Sequence, residues 1–134
     1  MCGIIGYIGK EKALPIILNG LRRMEYRGYD SSGVALIEPT GIVVEKKQGK
    51  LANLEKILAG RNFQSTIGLG HIRWATHGAP SDQNAHPHAD CHNEIFVVQN
   101  GIIENANTLK KELIKKGHIF KSETDTEILA HLIE

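Results

Sequence analysis

Met1-Cys2-Gly3-Ile4-Ile5-Gly6-Tyr7-Ile8 opens the chain, and everything downstream is read in its light. Cys2 is a small residue behind an initiator methionine, so Met1 is expected to be removed. Removal leaves Cys2 with a free α-amine beside its own thiol. One residue then carries both a nucleophile and a base, because the amine accepts the proton that the thiol loses. An unperturbed α-amine titrates at about 7.7–8.0 and a cysteine thiol at about 8.5, so the transfer is nearly balanced at neutral pH. The plainer reading makes Cys2 a small apolar residue heading a buried strand, since free cysteines are commonly buried and inert. Glycines 3, 6 and 9 thin that strand and favour close approach of a backbone or a ligand. With no Walker lysine and no preceding strand, they do not make a phosphate loop.

Past this stretch, Leu14, Ile17, Leu18, Leu21 and Met24 recur at helical spacing, which predicts a helix over 12–26 with Pro15 in its first turn. The polar, glycine-bearing run from Glu25 to Gly33 reads as a loop with a strict conformational demand, either a tight helix-to-strand connection with Arg27 and Asp30 in an internal ion pair or a stretch with a direct part in the chemistry. Strands are expected at 34–37 and 42–47 around a Glu38-Pro39-Thr40-Gly41 turn. A short helix carrying Leu51, Leu54, Ile57 and Leu58 follows, then a glycine-thinned strand at 67–72. Residues 73–92 have no periodicity, and an aperiodic run of that length in a compact domain is usually functional. A strand at 94–99 then runs into Asn100-Gly101, a pair that also suits a hairpin turn. A helix at 105–116 ends at Gly117, and Ile119-Phe120 reads as a short strand. Thr124 and Glu127 fit a capping box, before a helix whose buried face is Ile128, Leu129, Leu132 and Ile133. Strands, helices and glycine-rich strand edges together fit a layered α/β or α+β domain.

Composition narrows the function. Sixteen basic residues against fifteen acidic ones give a net charge of +1, which provides no general pull toward nucleic acid or anionic membrane. Two cysteines do not build a disulfide framework, no apolar run is long enough to span a bilayer, and no export signal opens the chain. A cytoplasmic setting is expected, where a reactive thiol stays reduced.

A cysteine attacking an amide creates an oxyanion that needs fixed donors. Asn100 and Gly101 offer a side-chain amide and a backbone N–H for that purpose. An amino-acid substrate also needs a guanidinium for its carboxylate and an acid for its α-ammonium. Arg73 and Asp125 suit these roles, each at the boundary of an element. Trp74, Thr76 and His77 lie in a loop able to close over a ligand. Each also admits a purely structural role: a turn for Asn100-Gly101, helix-terminus decoration for Asp125, core packing for Trp74.

The segments Met1–Gly6, Glu25-Tyr26-Arg27-Gly28-Tyr29-Asp30-Ser31, His71-Ile72-Arg73-Trp74-Ala75-Thr76-His77-Gly78, Asn84-Ala85-His86-Pro87-His88, Asn100-Gly101-Ile102-Ile103-Glu104-Asn105 and Ser122-Glu123-Thr124-Asp125-Thr126-Glu127 resemble, in order, the N-terminal class II glutaminase domain of the glutamine–fructose-6-phosphate amidotransferases. The resemblance implies an α+β fold, a four-layer αββα sandwich of the N-terminal-nucleophile hydrolase type, carried incompletely by residues 1–134. It implies that Cys2 becomes the first residue and attacks the side-chain amide of L-glutamine, with its α-amine as base. Asn100 and Gly101 then form the oxyanion hole, Arg73 binds the substrate carboxylate and Asp125 its α-ammonium. Trp74, Thr76 and His77 line the pocket and its loop. Ammonia is expected to pass to a C-terminal sugar isomerase domain, absent from this chain, that converts fructose 6-phosphate to glucosamine 6-phosphate. The full-length protein is expected to be a homodimer. No metal and no organic cofactor are implied. Three positions depart from the family pattern: Ile72 in place of threonine, Gln99 in place of histidine, and Ala106 in place of a larger residue. Gln99 adjoins the oxyanion donor and bears on its hydrogen bonding.

Rival readings stand beside this one. His86, His88, Cys91 and His92 crowd ligand-type side chains into seven residues, a partial pattern for a metal-binding module. The chain also fits a catalytically silent, truncated domain, or the glutaminase part of a different class II amidotransferase.

Overall fold

The computed structural model describes residues 1–134. The opening strand β1 (Gly3–Ile8) lies at the edge of a four-stranded antiparallel sheet with β2 (Ser31–Glu38), β3 (Gly41–Gln48) and β4 (Ile67–Arg73), in the order β1-β4-β2-β3. The β2–β3 hairpin turns through Pro39-Thr40, with Glu38 paired to Gly41. Helices α1 (Ala13–Met24) and α2 (Leu51–Leu58) cover one face. Their stripes supply Ala13, Leu14, Ile17, Leu21, Leu51, Leu54 and Leu58 to a core closed by Val34, Leu36 and Ile72. At about 25 cal/mol per Å² of apolar surface, each fully buried leucine or isoleucine contributes about 1.5–3 kcal/mol.

A second, two-stranded sheet, β5 (His88–Ala89) with β6 (Phe96–Val97), lies across the other face, with helices α3 (Ala106–Lys115) and α4 (Glu127–Ile133) beyond it. The layers run α, β, β, α. The two sheets approach closely at Gly33, where an added Cβ would stand 2.0 Å from the His86 carbonyl oxygen. Only glycine fits there.

The second half departs from the sequence expectation in four places. The strand expected at 94–99 shrinks to Phe96–Val97, because the Asp90 carboxylate accepts the backbone N–H groups of His92, Glu94 and Ile95. Ile119-Phe120 forms no strand; the Ile119 N–H donates to Cys91 Sγ at 3.4 Å. The capping box does not form. Glu127 folds back to accept the N–H groups of Lys121 and Ser122 at 2.7 Å each, and Thr124 Oγ1 pairs with His88 Nε2 at 2.8 Å. Finally, α4 buries Glu127, Ile128, Ala130 and His131, whereas Leu132 and Ile133 are exposed. The buried face thus sets an acid and a histidine beside Ile128 and Ala130, so polar contacts share the work of holding α4 with apolar burial.

Candidate active site

The register of β4 builds the site. Gly3 pairs with Ile72, so Cys2 stands level with Arg73, and Ser31 at the head of β2 pairs with Arg73 from the other side. Cys2 Sγ accepts the Trp74 N–H at 3.2 Å and lies 3.4 Å from the Trp74 carbonyl oxygen. The sulfur is thus tied to the first turn after β4 and half-exposed to the cavity.

That turn is shaped by Asp30 and Gly28. The Asp30 carboxylate accepts the Ala75 N–H on one oxygen and the Ser31 hydroxyl, at 2.8 Å, on the other. The Arg27–Asp30 ion pair allowed by the sequence does not form; Asp30 is committed to the backbone instead, and Arg27 Nε is buried without a partner beside the cavity. Gly28 lets this loop touch the β4 terminus, since a Cβ there would stand 2.6 Å from the Arg73 carbonyl oxygen.

Arg73 is 3% exposed. Its Nη2 donates to the His77 and Gly78 carbonyl oxygens, the latter at 3.0 Å. Its Nη1 is buried with no partner. A buried guanidinium donor left open is costly and calls for an anionic acceptor. Asp125, which lines the same cavity, is also buried; its Oδ2 accepts the Ile103 N–H at 2.8 Å, and its Oδ1 makes no hydrogen bond. The cavity lining therefore includes both a guanidinium with an unpartnered donor and a carboxylate with an unused oxygen, groups that complement an α-amino acid.

Asn100 reaches the cavity from the segment after β6. His71 Nε2 lies 2.9 Å from Asn100 Oδ1; as donor, His71 fixes the amide with its NH2 toward the cavity. The Gly101 N–H makes no backbone hydrogen bond. Gln99 does not compete for Asn100: its Oε1 accepts the Thr126 hydroxyl at 3.1 Å. Cys2, Arg73, Trp74, Thr76, His77, Asn100, Gly101 and Asp125 all line one cavity of about 480 Å³. Trp74 stands half-exposed at its mouth, edge-on to Tyr29 with centroids 5.7 Å apart. Met1 occupies the same rim.

Arg27, Gln99, Ile102 and Thr126 also line the cavity, although residue type and spacing assign none of them a contact with substrate. His71 acts on the cavity through Asn100 and carries no sequence signal for that role. Arg27 is legible as part of a constrained loop, but its orientation is not.

Beneath the cavity, His71, His86 and His88 stack with centroids 4.1 and 4.7 Å apart. Burial, above all, holds His71 neutral, with its pKa pushed down to about 4. Burial, aided by neighbouring cationic and histidine groups, also holds His86 and His88 far below the ordinary range. These rings take up protons only on unfolding, so stability is lost as pH falls below their unfolded value of about 6.5. Each ring that stays neutral in the fold adds to that loss in the same direction. Urea unfolding midpoints are expected to fall steeply between pH 6.5 and 4; flat midpoints would contradict the neutral stack.

The family model for the glutamine amidotransferase domain matches residues 1–134. The chain belongs to this family. Among curated members, the glutamine–fructose-6-phosphate aminotransferases [isomerizing] of Aquifex aeolicus and Pyrococcus horikoshii are 60% and 58% identical over 99% and 100% of the chain. The chain spans about a fifth, 22%, of the length of each. Two solved structures share the N-terminal-nucleophile amidotransferase architecture. The glutamine phosphoribosylpyrophosphate amidotransferase from B. subtilis, complexed with ADP and GMP, is 28% identical with a TM-score of 0.81. A structure described as the allosteric regulatory enzyme of purine biosynthesis is 29% identical with a TM-score of 0.84. Each aligns over 99% of this chain and 29% of its own. As a glutamine amidotransferase domain, the chain has the expected αββα layering, and no helix is long and apolar enough to cross a membrane.

Proposed function

We propose that this domain hydrolyses the side-chain amide of glutamine through a thioester on Cys2. The supporting observation is the unpartnered Nη1 of buried Arg73, a residue that lines the same cavity as Cys2 and Asp125. Arg73 takes the substrate carboxylate in a charge-assisted bond and Asp125 takes the ammonium. These two contacts set the side-chain amide in front of Cys2.

After loss of Met1, the Cys2 α-amine accepts the thiol proton as sulfur adds to the amide carbon. The amide oxygen becomes an oxyanion that accepts from Asn100 Nδ2 and the Gly101 N–H. The ammonium returns its proton to the nitrogen as the C–N bond breaks, which releases ammonia and leaves the thioester. Water, deprotonated by the same amine, adds to the thioester carbon; the C–S bond then breaks, the ammonium returns its proton to the sulfur, and glutamate leaves. Trp74, Thr76 and His77 close the cavity mouth and limit competing water.

The similarity to glutamine–fructose-6-phosphate aminotransferases at 60% and 58% identity, against 28% and 29% for the two solved structures, favours fructose 6-phosphate as the acceptor of the ammonia. In this reading the acceptor site lies in a sugar-isomerising domain beyond residues 1–134, glucosamine 6-phosphate is the product, and the full-length protein is a cytoplasmic homodimer.

Glutamate and ammonia are measured with glutamine or asparagine as substrate, for residues 1–134 and for the full-length protein. Equimolar release from glutamine alone, weak or absent in residues 1–134 and strong in the full-length protein, is expected. No release from either, or equal release from asparagine, would contradict the proposal.

A further inference from the structure

The metal-ligand pattern visible in the sequence is divided by the fold. His86 and His88 turn inward to the histidine stack. Cys91 faces away from them and meets three residues from distant parts of the chain: His118, His131 and Glu134. Their donor atoms converge. His118 Nδ1 and His131 Nδ1 lie 3.3 Å apart. Cys91 Sγ is 3.6 Å from His131 Nδ1 and 3.9 Å from His118 Nδ1. Glu134 Oε2 is 2.9 Å from His118 Nδ1 and 3.1 Å from His131 Nδ1.

These separations are those of ligands sharing one small cation. Tetrahedral zinc, with Zn–N of about 2.0–2.1 Å and Zn–S of about 2.3 Å, places two nitrogens about 3.3 Å apart and nitrogen about 3.6 Å from sulfur. His131 is 2% exposed; its Nε2 has no hydrogen-bond partner, with the Glu127 carboxylate 3.6 Å away, and a proton on that nitrogen leaves the Nδ1 lone pair for a metal. Cys91 Sγ accepts the Ile119 N–H at 3.4 Å. One thiolate and one carboxylate, with two neutral imidazoles, together balance the charge of a divalent cation.

The backbone brings these ligands together. Gly117, at φ +100°, ends α3 in a Schellman turn, in which the Gly117 N–H donates to the Ile114 carbonyl oxygen and the His118 N–H to that of Leu113; His118 is the residue this turn aims at the cluster. His131 and Glu134 stand three apart at the end of α4. The buried face of α4, part polar and part apolar, is the face that carries His131.

We propose that Cys91, His118, His131 and Glu134 form a structural zinc site that clasps the β5–β6 turn to the ends of α3 and α4. It has no open position for substrate and is independent of the glutaminase chemistry. By holding α4, it holds the turn that presents Asp125.

The purified chain is stripped with EDTA, dialysed, and titrated with zinc sulfate or cobalt(II) chloride. One metal per chain is expected, with a raised melting temperature. The cobalt form is expected to show tetrahedral d–d bands and a sulfur-to-cobalt charge-transfer band. Cys91→Ser is expected to lose that band, and His118→Gln to weaken zinc binding at least tenfold, roughly the loss typical of disturbing a supporting contact. Both variants leave the far-UV circular dichroism of the metal-free chain unchanged, which separates lost ligation from lost folding. Cys2→Ser retains metal and spectrum. Absence of stoichiometric binding, a cobalt spectrum without charge transfer, a charge-transfer band that survives Cys91→Ser, or metal that departs with Cys2→Ser would each overturn the site.

Discussion

In the full-length protein, Cys2→Ala is expected to lower glutamine turnover by more than about 10⁴-fold, a loss of the size seen when a covalent nucleophile is removed. No other residue here unites a thiol with a chain terminus. Cys91, the second cysteine, is held by Ile119 and the histidines around it and is absent from the cavity lining, so it cannot substitute. The loss falls on kcat. The carboxylate and ammonium contacts at Arg73 and Asp125 do not involve the sulfur, so glutamine binding, read by isothermal titration on the variant, is expected to survive. Residual turnover within tenfold of the unsubstituted chain would remove Cys2 from the chemistry.

Arg73→Lys is expected to raise the KM for glutamine by roughly 30–150-fold, which corresponds to about 2–3 kcal/mol for a charge-assisted contact. Arg73 does two things at once. Nη2 holds the His77 and Gly78 carbonyl oxygens while Nη1 is buried without a partner. Lysine has a single ammonium on a flexible stem and cannot keep both directions. If the ammonium keeps the loop, the carboxylate loses its partner; if it takes the carboxylate, the loop that carries Trp74 and His77 relaxes. In both cases KM rises more than kcat falls. An unchanged KM, measured with circular dichroism confirming the fold, would contradict the assignment.

The first half of the fold was legible because apolar periodicity decides it. Leu14, Ile17 and Leu21 fix the buried face of α1, and Val34 and Leu36 alternate inward on β2. For the candidate site, chemistry constrains residue type: the sequence offers a thiol, a guanidinium, an acid and an amide donor, and all eight residues named for it line one cavity. The second half was less legible because side chains there take over backbone work. The Asp90 carboxylate draws off N–H groups that a strand at 94–99 would need. Glu127 serves two N–H groups upstream rather than its own helix start. Pairings such as Arg27 with the cavity or Cys91 with His118 and His131, 27 and 40 residues apart, depend on how layers meet and leave no local pattern.

A liberated Cys2 facing a hollow built for an amino acid is what the chemistry requires. The mass of the intact protein, taken before and after exposure to an electrophilic glutamine analogue, reports on both halves of that statement. A chain lighter by one methionine residue is expected, gaining a single adduct that maps to Cys2 and is suppressed by excess glutamine. A chain that keeps Met1 and takes no adduct, or one labelled at Cys91 instead, would overturn it.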